Sequence, residues 1–135
     1  MIGIDSFIKT IESSENEKIG ISDKHIRIID VPGSFELPIG AQMLLDECDP
    51  LPGAVICIGS VIRGETSHFD FVCQSVSLGI KDVSLKYNVP VIFGVLTDDN
   101  MDQSLSRSGG NLGNKGEEAA VTAVQMAILQ RRLRR

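Results

Sequence analysis

The sequence predicts an α/β domain with a parallel, flavodoxin-like sheet in a three-layer αβα sandwich. Two short apolar runs, residues 54–59 (AVICIG) and 90–96 (PVIFGVL), have the continuous apolar character of strands that are covered on both faces. Helical patterns lie between and after these runs, and strands that alternate with helices pair in parallel through right-handed crossovers. A chain of 135 residues suits one such domain, which we expect to span residues 1–135.

The remaining elements are predicted from local patterns. Residues 25–30 (HIRIID) form a β-rich run ahead of a Pro-Gly turn, so we expect a strand there. Residues 67–87 repeat apolar side chains at three- and four-residue spacing, which indicates an amphipathic helix. The apolar positions are Phe69, Val72, Val76, Ile80, Val83 and Tyr87. Three further helices are predicted, over residues 37–48, 101–108 and 114–132.

The N-terminal part fits this pattern less well. Residues 5–18 have the character of a helix, but only residues 1–4 stand ahead of it, too few for an ordinary strand. We therefore expect the first strand of the sheet to be truncated or missing. Its loss would leave backbone groups of the neighbouring strands unpaired.

The charge balance argues against general nucleic-acid binding. Acidic residues outnumber basic ones by 18 to 13, whereas a nucleic-acid surface needs a basic face. The basic end, residues 131–135, is the exception. We interpret it as the end of a helix whose cations complement the helix dipole, and a nucleic-acid- or cargo-binding tail is the alternative.

Cysteine usage and hydropathy indicate a cytoplasmic protein. Cys48, Cys57 and Cys73 are odd in number and have no CxxC spacing, which favours reduced thiols. No apolar stretch approaches the roughly 20 residues that span a bilayer, and no secretory leader is recognisable. No set of His, Cys and carboxylate residues has metal-ligand spacing, so we expect no metal site.

Three loops follow the predicted strands and hold much of the unusual chemistry. They are residues 30–36, 60–68 and 97–116. Ligands of open parallel sheets bind beyond the carboxyl ends of the strands, where these loops should meet.

The second loop is the most informative of the three. Thr66 or Ser67 can cap the helix that follows, whose free N–H groups and positive end form an anion site. Gly64 allows the backbone to approach a ligand closely. His68 lies in the first turn, where a neutral imidazole can accept a proton near neutral pH. A capping loop with a surface histidine is the alternative interpretation.

The other two loops carry weaker signals. In the third, Arg107 precedes a Gly-rich segment, as in sites where an Arg holds phosphate oxygens in a bidentate way. Gly109 and Gly110 are equally typical of a helix C-terminus. In the first loop, Glu36 could accept hydrogen bonds from a polar ligand beside Phe35, or the loop could serve only to cap the next helix.

Four segments in order and spacing resemble the lumazine synthase family from about residue 20 to residue 135. They are VPGSFELP (31–38), GSVIRGETSHFDFV (59–72), VPVIFGVLT (89–97) and GNKGEEAA (113–120). The resemblance implies a condensation of 5-amino-6-(D-ribitylamino)uracil with 3,4-dihydroxy-2-butanone 4-phosphate in riboflavin biosynthesis. It implies no cofactor and no metal. A catalytically weak shell or scaffold subunit and a flavin-binding protein on the same fold are the alternatives.

The resemblance also implies roles for individual residues. His68 would move protons, and Glu65, Thr66 and Arg107 would hold the phosphate. The ribitylaminouracil would be bound by Ser34, Phe35, Glu36, Ser60, Val61, Ile62 and Phe93. Phe93 and Arg107 would come from a neighbouring subunit. A site shared in this way requires an oligomer, and members of the family assemble as pentamers, some of them as sixty-subunit shells. Riboflavin synthase, which consumes the product, is a candidate partner.

Two positions depart from the family pattern. Ile4 stands where an aromatic residue stacks on the pyrimidine ring, and an aliphatic side chain cannot reproduce that stacking. Asn111 stands where many members have Lys, while Lys115 is retained as a further candidate phosphate ligand.

Overall fold

The computed structural model describes residues 25–134, in which two parallel strands are flanked by helices. The principal elements are α1 (Leu37–Glu47), β1 (Val55–Ile62), α2 (His68–Tyr87), β2 (Val91–Asp98), α3 (Met101–Arg107) and α4 (Lys115–Leu133). A 3-10 turn, Ser34–Glu36, leads into α1. A short antiparallel hairpin of β3 (Ser108–Gly110) and β4 (Gly113–Asn114) separates α3 from α4.

The parallel pairing predicted for the two apolar runs is confirmed. β1 and β2 pair along their whole length, from Val55 opposite Val91 to Ile62 opposite Asp98. Both strands extend beyond the predicted ends, because Ser60–Ile62 continue the ladder with Leu96–Asp98. Three residues assigned to a loop on the sequence therefore belong to a strand, where the backbone fixes their direction.

Helices cover both faces of these strands, as the predicted three-layer sandwich requires. On one face, a cluster of buried apolar residues joins the strands to α1 and α2: Ala41, Leu45, Val55, Cys57, Val76, Ile80, Val83, Val89, Val91 and Val95. On the other face α4 packs very closely, since a Cβ added to Gly94 would lie 3.4 Å from the Cβ of Ala119. The helices therefore cover the faces of the strands and leave their carboxyl ends to the loops.

The strand predicted over residues 25–30 is wrong for the described structure. No strand is assigned there, and Ile28 and Ile29 are 54% and 47% exposed. A β-rich run becomes a strand only where a neighbouring backbone pairs with it, and none of residues 25–134 does so. The segment instead borders an apolar cavity of about 470 Å³ that also lies against β1, α1 and α4.

Three expectations concern residues outside the described part of the chain: the truncated first strand, the candidate helix over residues 5–18 and the position of Ile4.

The four helices predicted after residue 36 are confirmed to within a residue or two. In α2 the predicted apolar stripe is buried or half-buried throughout. Gly109, the residue after the C-cap Ser108 of α3, has a φ of 106°, which fits the interpretation of a glycine at a helix C-terminus. No helix within residues 25–134 is long and apolar enough to cross a membrane.

Gly79 of α2 lies directly against α1 on the core face. A Cβ added there would lie 2.7 Å from Cγ and 2.8 Å from Cβ of Pro38, in the first turn of α1. Alanine normally favours a helix over glycine by about 1 kcal/mol. Because the contact is shorter than van der Waals separation on a rigid ring, we expect the clash to win.

We therefore expect Gly79→Ala to lower the free energy of unfolding by about 1–3 kcal/mol, as overpacking does. Urea denaturation would measure the change. Pro38→Gly removes both opposing atoms, whereas Pro38→Ala keeps the Cβ at 2.8 Å, so Gly79→Ala should cost much less in a Pro38→Gly background than in the parent. A Gly79→Ala protein as stable as the parent would show that α1 can shift away from α2 with no loss in the free energy of unfolding.

Candidate active site

Hydrogen bonds bring the three predicted loops together at the carboxyl edge of the strands. Ser34 Oγ in the first loop donates to the carbonyl of Ser60, 3.3 Å away. Ser60 Oγ shares a 2.9 Å hydrogen bond with Ser104 Oγ of α3, on the third segment. Ser104 is buried, and sequence reasoning did not select it. The end of β1 is therefore held from both sides, by the 3-10 turn and by α3.

His68 is the first residue of α2, and its side chain is exposed. Thr66 Oγ1 accepts a hydrogen bond from the His68 N–H at 3.4 Å, as a weak cap. Ser67 occupies the cap position but makes no capping bond with its side chain. The amide groups at the start of α2 and the imidazole are thus presented together to solvent, as binding of an anion beside a proton acceptor requires.

Arg63 joins the loop after β1 to both neighbouring segments, and sequence reasoning missed this role. Its Nε donates to Oδ1 of Asp99 at 2.9 Å, and its NH2 lies 3.1 Å from Oδ1 of Asp70. The guanidinium carbon lies 4.1 Å from the centre of the Phe69 ring. Hydrogen bonds to the two carboxylates raise the pKa of Arg63. The Asp99 contact spans 36 residues, so no local pattern could reveal it.

Arg107 and Lys115 both face Glu118 of α4. Arg107 NH2 lies 3.7 Å from Oε1 of Glu118, and Lys115 Nζ lies 3.1 Å from Oε2. Both cations are partly exposed and gathered at one carboxylate, so a phosphate would bind there in competition with Glu118. The Lys115–Glu118 pair has the helical i, i+3 spacing, a signal that the sequence did contain.

In the first loop, no side chain among the described residues caps the 3-10 turn or α1. Ser34 begins the 3-10 turn, its side chain turns to Ser60, and Glu36 occupies the residue before α1. Phe35 is 57% exposed, while Glu36 is half-buried and its N–H donates to the Gly33 carbonyl at 3.2 Å. Phe35 and Glu36 therefore stand beside the end of β1 with an accessible ring and a partly accessible carboxylate.

Val61 and Ile62 end β1 and are half-buried, so they offer apolar atoms and a fixed backbone at this edge. Phe93 does not reach it within one chain. It pairs with Cys57, three positions before Ser60, which is about 10 Å along the strand. Its ring packs against the core on the face of α1 and α2.

Two buried groups at the strands differ in their chemistry. Asp98 ends β2 with only 8% exposure, and its Oδ2 has no hydrogen-bond partner among the described residues. Burial raises the pKa of the Cys57 thiol to about 12, so this cysteine stays protonated and is not a nucleophile.

Within residues 25–134, no three His, Cys, Asp or Glu side chains are grouped so as to hold a metal ion.

The fold and this edge define a class of protein: a parallel α/β domain that presents a helix N-terminus, a histidine and cationic side chains where such folds bind small molecules. The model of the 6,7-dimethyl-8-ribityllumazine synthase family matches residues 7–131. The chain therefore belongs to the 6,7-dimethyl-8-ribityllumazine synthase family, whose members are condensing enzymes of riboflavin biosynthesis. The resemblance seen in the sequence motifs is thereby confirmed.

Similar proteins agree with the family assignment. The 6,7-dimethyl-8-ribityllumazine synthase of Cytophaga hutchinsonii is 56% identical over 109 residues, which cover 81% of this chain and 67% of that protein. The enzyme of the same name from Parabacteroides distasonis is 50% identical over 122 residues, covering 87% of this chain and 74% of the relative. That of Bacteroides fragilis is 42% identical over 123 residues, covering 91% and 81%.

Proposed function

We propose that this chain is an active 6,7-dimethyl-8-ribityllumazine synthase and forms one domain over residues 1–135. It condenses 5-amino-6-(D-ribitylamino)uracil with 3,4-dihydroxy-2-butanone 4-phosphate and releases phosphate and water. The observation that carries the proposal is the exposed His68 at the start of α2, beside three loops joined through Ser60. Identity of 42–56% to synthases over most of the chain supports the substrate assignment.

The ribitylaminouracil binds at the end of β1. Ser60, Val61 and Ile62 contact the pyrimidine with backbone and apolar atoms, because the ladder with β2 fixes their direction. Ser34, Phe35 and Glu36 contact the ribityl chain, whose hydroxyls donate to the Glu36 carboxylate. Phe93 contributes from a neighbouring subunit, as the family resemblance implies: in its own chain it lies about 10 Å from Ser60 along the sheet and its ring is only half-buried.

The phosphate binds at the start of α2, where Glu65 and Thr66 offer backbone N–H groups. Arg107 of a neighbouring subunit, with Lys115 nearby, supplies positive charge by exchanging Glu118 for the phosphate oxygens. The two substrates are then held in adjacent positions, and orientation of this kind can account for a large part of the rate enhancement.

His68 moves the protons that each step requires. The amine of the uracil attacks the ketone, and the carbinolamine loses water to form an imine. Loss of a proton next to the imine allows phosphate to leave, and ring closure by the second amine expels another water. An imidazole within reach of these atoms can accept and return a proton, which is worth about 10²–10⁴-fold in rate.

The decisive test is incubation of the purified chain with both substrates. We expect fluorescent lumazine and one phosphate per product, with no product when either substrate is omitted. Absence of product from a folded, assembled protein would reject the proposal and leave the weak shell subunit. Flavin that co-purifies without turnover would indicate the flavin-binding alternative.

We also propose that the chain works as a homo-oligomer in the cytoplasm, a pentamer or a sixty-subunit shell built from pentamers. Large apolar side chains are exposed at Phe71, Leu78 and Leu85, seven residues apart on α2. A second exposed row, Phe35, Ile39 and Met43, leads along α1. Apolar rows of this kind mark contact surfaces, and two different patches that meet close a ring.

Sedimentation velocity tests this assembly directly. We expect a particle of about five times the 14.6 kDa chain mass, or a multiple of it, and a monomer would contradict the shared site. Free thiols at Cys48, Cys57 and Cys73 fit a reducing compartment. Riboflavin synthase is the proposed consumer of the product.

A further inference from the structure

We propose that Arg63 is a positioning residue that fixes the first turn of α2, and with it His68, against the end of β2. The proposal rests on the proposed function, because it assigns a second residue to the same reaction. Arg63 acts through His68 and the loop ahead of it.

The contacts of Arg63 divide between two segments, the end of β2 and the first turn of α2. Towards β2, its backbone N–H donates to the Asp98 carbonyl at 2.9 Å, and its Nε donates to Asp99 at 2.9 Å. Towards α2, its NH1 and NH2 approach the two carboxylate oxygens of Asp70 at 3.4 and 3.1 Å. The guanidinium also lies over the ring of Phe69 at 4.1 Å.

These α2 contacts are with the two residues that directly follow His68. Phe69 is 8% exposed and fixed in the core, so the guanidinium stacks on an anchored ring. The planar fork of arginine can hold Asp99 with one nitrogen and Asp70 with two others at the same time. A lysine ammonium is a single point charge and cannot reproduce that bridge.

The side chains of Arg63, Asp70 and Asp99 are 43%, 60% and 66% exposed, so each ion pair alone stabilises the fold only slightly. Their effect is therefore expected in the placement of one turn rather than in global stability. A catalytic group that is displaced by about 1 Å can lose about 100-fold in rate. A loss of rate without a loss of global stability would therefore distinguish a positioning role from a merely structural one.

The kinetic experiment compares Arg63→Ala and Arg63→Lys with a matched control. Lys81→Ala removes a cation of similar exposure from the middle of α2, where Lys81 pairs with its neighbour Asp82. We expect Arg63→Ala to lower kcat by about 10- to 100-fold and Arg63→Lys to recover only part of it. Lys81→Ala should match the wild type.

The same substitution in a His68→Ala background shows whether Arg63 acts through the histidine. We expect the loss in kcat on Arg63→Ala to shrink to less than about 3-fold once the imidazole is absent, because residues that act as a unit are not additive. An equal loss in both backgrounds would overturn the proposal.

Amide hydrogen exchange tests the placement without any assay of activity. Arg63→Ala should speed exchange at residues 64–70 by about 10-fold or more relative to the wild type and Lys81→Ala, with the core of α2 unchanged. Unchanged exchange at residues 64–70 would overturn the proposal. If the wild type makes no lumazine, the proposed function fails while the exchange data still decide the role of Arg63.

Discussion

Replacement of His68 by alanine is expected to lower kcat for lumazine formation by about 10²–10⁴-fold. The reason is that imine formation, phosphate loss and ring closure each move a proton, and the imidazole stands exposed at the start of α2. The KM for either substrate should change much less, because we propose that other residues bind the substrates. Product fluorescence under saturating concentrations of both substrates measures the loss.

The other described histidine provides the control. His25 is also exposed but lies outside the three loops, so His25→Ala should leave kcat within about 2-fold of the wild type. His68→Asn retains a polar side chain of similar size that cannot accept and return a proton as an imidazole does, and should be as slow as the alanine variant. A His68→Ala enzyme with normal turnover would show that another group moves the protons.

The second large effect is expected from Arg107→Ala. Loss of charge-assisted hydrogen bonds to the phosphate is worth about 1.5–3 kcal/mol, which corresponds to a KM about 10- to 100-fold higher for the butanone phosphate. The KM for the ribitylaminouracil should change by less than about 3-fold, because Arg107 lies with Lys115 at the Glu118 carboxylate, where the phosphate is proposed to bind. Initial rates over a grid of both substrate concentrations separate the two constants.

Two further variants sharpen this prediction. Arg107→Lys keeps the charge but loses the fork, so its KM should be intermediate. Arg131→Ala removes an exposed arginine from the last turn of α4 and should leave both KM values unchanged. Equal rises in the two KM values for Arg107→Ala would contradict a phosphate-specific role.

Elements defined by their own residues could be predicted from the sequence. The runs at residues 54–59 and 90–96 are continuously apolar, and the stripe along α2 repeats every three or four residues, so each pattern lies within the element that it predicts. The position of His68 at the start of a helix followed from the same pattern. Asn114 gave a further usable signal, because it is followed three residues later by Glu117, and its side chain does cap α4.

Features that depend on distant pairing could not be predicted in this way. β1 continues through Ser60–Ile62 only because Leu96–Asp98 pair with it. Residues 25–30 show the converse, since strand-forming residues make no strand where nothing pairs with them in the described structure. The bridge from Arg63 to Asp99 and the Ser60–Ser104 bond likewise join segments 36 and 44 residues apart, so they depend on the finished fold.

The spacing within the β1–β2 ladder bears on how the chain reaches its fold. Val55 pairs with Val91, and every other pair is likewise 36 residues apart, with α2 in the intervening chain. Closing such a loop lowers the conformational entropy of the chain before the strand pairing contributes any stabilisation. Helix α2 can therefore form early, while the ladder closes late. Until then the apolar segments of both strands are unpaired and open to the same segments of other chains. Refolding yield from denaturant should therefore fall as protein concentration rises, and recovery is best attempted at high dilution.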